Sequence, residues 1–225
     1  MCGRYTHLLT WSQVVTLYQL TSGLEAPAEF RPRYNIAPTQ MAPVVRIKNG
    51  QRELAMLRWG LIPAWAKDRS IGNKMINARA EGVAEKPAFG SALRARRCLV
   101  LSGGFYEWQK GAGKEKQPFW IGMKDGGEFA MAGLWERWRD RERGEAIESF
   151  TIITTVANAL VAPIHDRMPV LVDPANFDAW LTAAEPPMGL LRPYAAAAME
   201  AYPVSRAVNS PAQDQPSLIE PLTGV

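Results

Sequence analysis

No run of about 18 consecutive apolar residues occurs in this chain of 225 residues, so a helical membrane span is not expected. The first residues lack a basic segment followed by an apolar core, and a secretory leader is not expected either. Cysteine is scarce, with Cys2 and Cys98 the whole complement. Two thiols without a leader point to a reducing, cytosolic setting and argue against joining them as a disulfide. Histidine is equally scarce, at His7 and His165. No CxxC or HxxxH spacing links these four residues, so neither a metal nor another cofactor is expected. Internal repeats and low-complexity blocks are also missing.

Charge of one sign is in mild excess. The 26 Lys and Arg against 22 Asp and Glu give +4, which permits nucleic-acid binding without requiring it. The kind of cation says more, because arginine recurs beside aromatic residues, as at Arg4-Tyr5 and Arg58-Trp59. A guanidinium fork pairs bidentately with phosphate and stacks on rings. Eight tryptophans, among them Trp59 and Trp65 in RWGLIPAWAKD, offer stacking platforms for bases as well as core volume. With 47% hydrophobic and 21% charged residues, the chain has the composition of an ordinary globular protein able to bury a sizeable core.

Hydrophobic spacing predicts an amphipathic helix after Thr10, with Trp11, Val14, Val15, Tyr18 and Leu20 near one face. Asn49-Gly50, between APVVRI and ELAMLRW, predicts a tight hairpin. NARAEGVAEKPAF predicts a helix capped by Asn77 and broken at Pro87. RCLVL, GFYEWQ, QPFWIGM, EFAMAGLW and SFTIITT then read as strands parted by Gly-rich or charged turns. DPANFDAWL predicts a short helix with Asp173 at the cap and Pro174 at the first position. The polar, proline-rich SPAQDQPSLIEPL predicts a mobile tail over 211–225 behind a domain of 1–210. Strands come in runs and outnumber helices, so the expected fold is one α+β domain dominated by antiparallel sheet.

Cys2 follows the initiator methionine directly. A small residue at that position favours methionine removal, which would leave Cys2 with a free α-amine and a thiol on adjacent carbons. Their ordinary pKa values, about 7.7–8.0 and about 8.5, leave both partly deprotonated near neutral pH. Such a 1,2-aminothiol condenses with an aldehyde to an imine and closes to a thiazolidine. The other reading of Cys2 is a small buried hydrophobe. Glu107 lies in GGFYEW, where strand alternation puts Phe105, Glu107 and Gln109 on one face and Tyr106 and Trp108 on the other. It reads either as a glutamate reaching water or as a desolvated carboxyl with a raised pKa, suited to acid–base work. His165, in PIHDRMPV, reads either as a loop bridge beside Asp166 and Arg167 or as a proton-transfer group. Asn77 and Arg79 open NARAE and read as a helix cap with a surface cation, or as an anion site.

The stretches MCGRY, RYNIAPTQ, RWGLIPAWAKD, INARAE, RRCLVLSGGFYEW, FTIITTVAN, IHDRMPV and YPVS, taken in order, resemble the SOS response-associated peptidase (SRAP) family of abasic-site-processing proteins. They run from residue 2 to about residue 210, nearly the whole chain. The resemblance implies a compact β-rich domain with a positively charged cleft for single-stranded DNA. It implies exposure of Cys2 by methionine loss or autoproteolysis, and a thiazolidine crosslink to the ring-opened sugar of an abasic site. It assigns Cys2 as nucleophile, Asn77 to sugar positioning, Glu107 to proton handling, and His165 to the sugar oxygen or proton transfer. Arg4, Arg79 and Arg167 would hold phosphates, with Trp65 and Pro38 near the flanking bases. The expected partner is abasic single-stranded DNA, met by a monomer in a DNA-associated cytosolic setting. Where the family shows a proline before GFYEW, this chain has Leu101-Ser102, which is expected to alter the loop that feeds Glu107 into the site. Two other functions start from the same residues. One is an amidohydrolase or amidotransferase with an N-terminal cysteine nucleophile; the other is a noncovalent single-strand binder in which Cys2 is incidental.

Overall fold

Asn49 and Gly50 both take positive φ, 52° and 75°, the pair of left-handed residues that a two-residue hairpin requires. They join strand β3 (Met41–Lys48) to β4 (Gln51–Trp59) in unbroken antiparallel register from Lys48–Gln51 to Met41–Arg58. This hairpin is the start of a barrel. β3 pairs with β6 (Arg97–Ser102), β6 with β9 (Phe129–Arg139), and β9 with β10 (Ala146–Val156). β10 then meets β4 in parallel at Ser149–Arg58 and Phe150–Trp59, which closes the ring. The protein is described here from a computed structural model, in which residues 2–111, 115–127, 129–140 and 144–222 are described.

Both faces of β6 are buried, which accounts for its continuous apolar run RCLVL. Leu99 and Leu101 face a cluster completed by α1 (Trp11–Leu17), α2 (Gly90–Ala95) and α3 (Phe177–Thr182). Cys98 and Val100 face the opposite way and share a cluster with Tyr5, Phe105 and Ile121 of a second sheet. That sheet is antiparallel throughout, with strand order β13-β8-β7-β1-β2. Its members are β1 (Arg4–His7), β2 (Arg33–Ile36), β7 (Gly104–Lys110), β8 (Lys116–Met123) and β13 (Met199–Pro203). Its far face carries Tyr106 and Trp120, covered by Val204, Val208 and Leu218 from the C-terminal segment. Gly104 and Gly122 are there because the Trp120 ring lies over both; a Cβ on either would come within 2.4 Å of it.

The expected single domain, mixed in class and rich in antiparallel sheet, is what folds. The five expected strands are β6 to β10, although Glu128, which opens EFAMAGLW, lies outside the described residues. Thr10 caps α1, whose Gln13 side chain accepts from the Thr10 N–H over 2.8 Å. The helix stops at Leu17 because Gln19 turns left-handed, yet Tyr18 and Leu20 still pack into the core. At DPANFDAWL, Pro174–Asn176 form a 3-10 turn leading into α3.

Two expectations are corrected. Asn77 caps no helix: Asn77–Arg79 is a short strand, β5, running parallel to β10 with Asn77 beside Ile152, and only a 3-10 turn follows. Lying beside a buried strand outweighed the helical propensity of ARAE. Nor is 211–222 a loose tail. Asp214 accepts from the backbone N–H groups of Tyr34 (2.6 Å) and Asn35 (3.2 Å) and from Arg33, while Leu218 is fully buried. Residues 223–225 lie outside the described residues. Leu101-Ser102 leaves β6 uninterrupted, paired with β9 through Ser102–Phe129, before the chain bends at Gly103 into β7.

Candidate active site

β1 and β7 pair antiparallel with Arg4 opposite Tyr106 and Tyr5 opposite Phe105, a register that carries Cys2 and Glu107 to the same end of the sheet. Alternation along β7 then acts as expected. Phe105 faces the barrel-side cluster that contains Cys2, and Tyr106 faces the opposite cluster. β5 brings in the third residue, whose Asn77 Nδ2 donates to the Cys2 carbonyl over 2.9 Å. Its Oδ1 is buried with no protein hydrogen-bond partner among the described residues, so it remains an acceptor facing an unfilled need.

The fourth residue comes from the loop after β10. Asn158 Oδ1 accepts from the Leu160 and Val161 N–H groups, and the His165 N–H donates to Val161 O over 2.9 Å, which shapes the turn. Gln109 of β7 donates to Pro163 O over 3.1 Å and fastens this loop to the strand that bears Glu107. His165 Nε2 thereby stands 4.0 Å from Glu107 Oε2. Nδ1 of the same ring accepts from the Arg167 backbone N–H over 3.0 Å. The structure therefore gathers Cys2, Asn77, Glu107 and His165 around one point.

The electrostatics of this group are set by burial. Burial, with Asp166 adding to it, lifts the Glu107 carboxyl to about 7, so it exchanges a proton near neutrality. The Cys2 thiol is pushed well up, first by burial and then by the Glu107 charge, and so stays protonated rather than resting as thiolate. His165 is shifted down by burial, which favours the neutral imidazole. Chemically this is a set for addition to a carbonyl, with a neutral sulfur nucleophile and a carboxyl poised to take and return a proton. Among the described residues, no group of three or more His, Cys, Asp or Glu is placed to hold a metal ion. Both cysteines are free thiols, packed in the same cluster.

The residues assigned to DNA are distributed differently. Arg4 donates through Nη1 to Asn35 Oδ1 (2.8 Å) and Val208 O (2.6 Å), and through Nη2 to Asn209 O (3.1 Å). Arg167 forks onto Glu81 at 2.6 and 2.9 Å and also donates to Thr154 O over 2.6 Å. Both guanidinium groups are thus held by the fold, whereas Arg79 is exposed at the end of β5. Trp65 is 59% exposed and borders an open groove of about 740 Å³, whose lining mixes Lys67, Arg69 and Arg139 with Asp68, Asp140 and Glu145. Pro38 is half-buried in the turn after β2. No hydrogen bond or ring contact among the described residues ties Trp65 or Pro38 to the Cys2 group. The sequence reading missed Glu81 and Asn35 as partners of the two arginines. Asn35 is a buried polar residue and Glu81 a half-exposed one, and neither signal names a partner.

The model of the SOS response associated peptidase (SRAP) family matches residues 1–211. The chain is 43% identical over 224 residues to the abasic site processing protein YoqW of Bacillus subtilis, covering 98% of this chain and 99% of that one. It is 33% identical over 228 residues to the abasic site processing protein HMCES of Gallus gallus, covering 86% of this chain and 67% of that one. A crystal structure of a protein from Bacteroides thetaiotaomicron superposes with a TM-score of 0.87 at 29% identity, over 98% of this chain and all of that one.

Proposed function

The chain belongs to the SOS response-associated peptidase family, and on that premise we propose that it processes abasic sites in single-stranded DNA by crosslinking itself to them through Cys2. The single observation that carries this reading is the meeting of Cys2 with Asn77 and with a carboxyl held near pH 7 at Glu107. Loss of Met1 frees the Cys2 α-amine. An abasic sugar presents an aldehyde when its ring opens, and the amine adds to it to give a carbinolamine. Protonated Glu107 supplies the proton with which the hydroxyl leaves as water, yielding an imine. The Cys2 sulfur then adds to the imine carbon, its proton passing to the nitrogen, and a five-membered thiazolidine closes. One water is released and no electrons are exchanged.

Asn77 holds the Cys2 carbonyl and leaves its Oδ1 to accept from a sugar hydroxyl, which fixes the aldehyde against the amine. Exposed Arg79 and Trp65 supply phosphate pairing and base stacking. Arg4, held by neutral oxygens, adds positive charge at a fixed position beside the site, whereas the charge of Arg167 is paired with Glu81. The test is incubation with single-stranded DNA carrying one abasic site, followed by intact mass. The expected product is protein lacking Met1 plus DNA minus one water, stable on a denaturing gel. Glutamine hydrolysis without an adduct would instead identify an N-terminal-cysteine amidohydrolase. Binding that vanishes on denaturation would leave a noncovalent single-strand binder.

A further inference from the structure

Glu107, His165 and Asp166 form a line from the interior to solvent. Side-chain exposure climbs from 3% at Glu107 to 28% at His165 and 86% at Asp166. The gaps along it are 4.0 Å from Glu107 Oε2 to His165 Nε2 and 2.9 Å from His165 Nδ1 to Asp166 Oδ1. The same Nδ1 faces a partner of the opposite kind, the Arg167 backbone N–H at 3.0 Å. A bare Nδ1 suits the amide hydrogen, and a protonated Nδ1 suits the carboxylate. A histidine partner usually fixes one tautomer. This ring has a partner ready for each.

The geometry points to Asp166 as the outer member of a proton relay that runs through His165 and serves Glu107. This role rests on the crosslinking reading above and adds to it the route by which a buried carboxyl trades protons with water. The ring exchanges between two states: in one, Nδ1 accepts from the Arg167 N–H, as it does in the structure, and Nε2 carries the proton; in the other, Nδ1–H donates to Asp166 and Nε2 is ready to receive a proton. Once Glu107 has taken a proton from the reacting amine, its O–H bond breaks as an N–H bond forms at Nε2, and the carboxylate is restored. The Nδ1 proton then passes to Asp166 and on to water, while the Arg167 N–H takes up the freed lone pair. Run backward, the same steps deliver the proton with which the carbinolamine hydroxyl departs. The longer gap is crossed by one intervening water or by closure to hydrogen-bond reach when substrate arrives. Lys116 of β8 also acts electrostatically on the ring and opposes its charged form.

Asp166→Asn keeps the size and an acceptor oxygen but cannot exchange the proton. In single-turnover reaction with abasic single-stranded DNA, its rate is expected to fall at least about tenfold, below the 10²–10⁴ typical of a direct acid–base group. Added acetate or imidazole buffer should restore part of that rate, and Asp166→Glu most of it. Binding to an unreactive tetrahydrofuran analogue should hold or tighten slightly, because one negative charge is gone. An Asp166→Asn protein at the wild-type rate, or a loss that buffer does not repair, overturns the relay. A wild-type protein that forms no adduct refutes the crosslinking reading instead. The relay is then judged by ¹⁵N spectra of His165, with His7 the one other histidine. Wild type should show both ring tautomers and Asp166→Ala only the Nε2–H form; the same tautomer in both proteins overturns the relay.

Discussion

Replacing Glu107 by glutamine is expected to remove one slope of the stability–pH profile and uncover an opposing one. In the folded protein, burial holds this carboxyl at about 7 against an ordinary 4.5. Between those values the folded state keeps a proton that the unfolded chain has released, so stability falls as pH rises. At roughly 1.4 kcal/mol per unit, that interval is worth about 3 kcal/mol. His7 does the reverse. It is fully buried, neither ring nitrogen has a hydrogen-bond partner among the described residues, and burial, aided by Arg33, lowers it from 6.5 to about 4. As pH falls below 6.5 the unfolded chain takes up that proton first, so stability is lost between 6.5 and about 4, again by about 3 kcal/mol. Across their shared window the two groups nearly cancel, and the wild-type profile should be flat there. In Glu107→Gln only the His7 slope survives. The variant should match wild type near pH 4.5 and exceed it by up to about 3 kcal/mol above pH 7. Urea unfolding at a series of pH values, with the slope m unchanged, measures this, and the difference between the two proteins isolates the carboxyl. The same variant should form adduct about 10²–10⁴-fold more slowly, because an amide cannot exchange the proton. Parallel profiles for the two proteins, or an undiminished rate, would refute the reasoning.

Cys2→Ser or Cys2→Ala should abolish the heat-stable adduct while leaving binding to the unreactive analogue largely intact; a serine variant that still gives the same adduct would sink the mechanism. Binding should favour single-stranded over paired DNA and weaken with salt. Arg79→Ala should reduce the salt slope by about one, and Trp65→Ala should cost about 1–3 kcal/mol, both read from titrations at several salt concentrations. Asp214→Ala removes the acceptor shared by Arg33 and the Tyr34 and Asn35 amides, and a drop of about 1–3 kcal/mol in urea-unfolding stability is expected.

What the sequence disclosed follows the range of the interaction concerned. The Asn49-Gly50 hairpin, the Thr10 cap and the facing of Phe105 and Glu107 are local matters of φ, capping and alternation, and all were legible. β5 was not, because Asn77–Arg79 becomes a strand only through pairing with Ile152–Thr154, more than seventy positions on. The C-terminal segment was misread for a related reason. Its polarity is real, but Asp214 is matched by Arg33 and two amides of β2, partners that composition does not reveal. Of the site, Cys2, Asn77, Glu107 and His165 emerged as candidates from chemistry and family pattern. Their mutual geometry, and the anchoring of Arg4 and Arg167, came only with the fold.

The bonds from Arg4 to Val208 and Asn209 span 204 and 205 positions of chain and lie two residues from Cys2, the proposed nucleophile. Arg4 is therefore braced by backbone translated 204 positions later. An aminothiol is indiscriminate toward aldehydes while it swings freely. Here the brace cannot form until residues near 209 have left the ribosome and settled on the outer face of the sheet. On the proposed crosslinking reading, a nascent or clipped polypeptide lacking that segment carries the aminothiol without the bonds that hold Arg4 beside it.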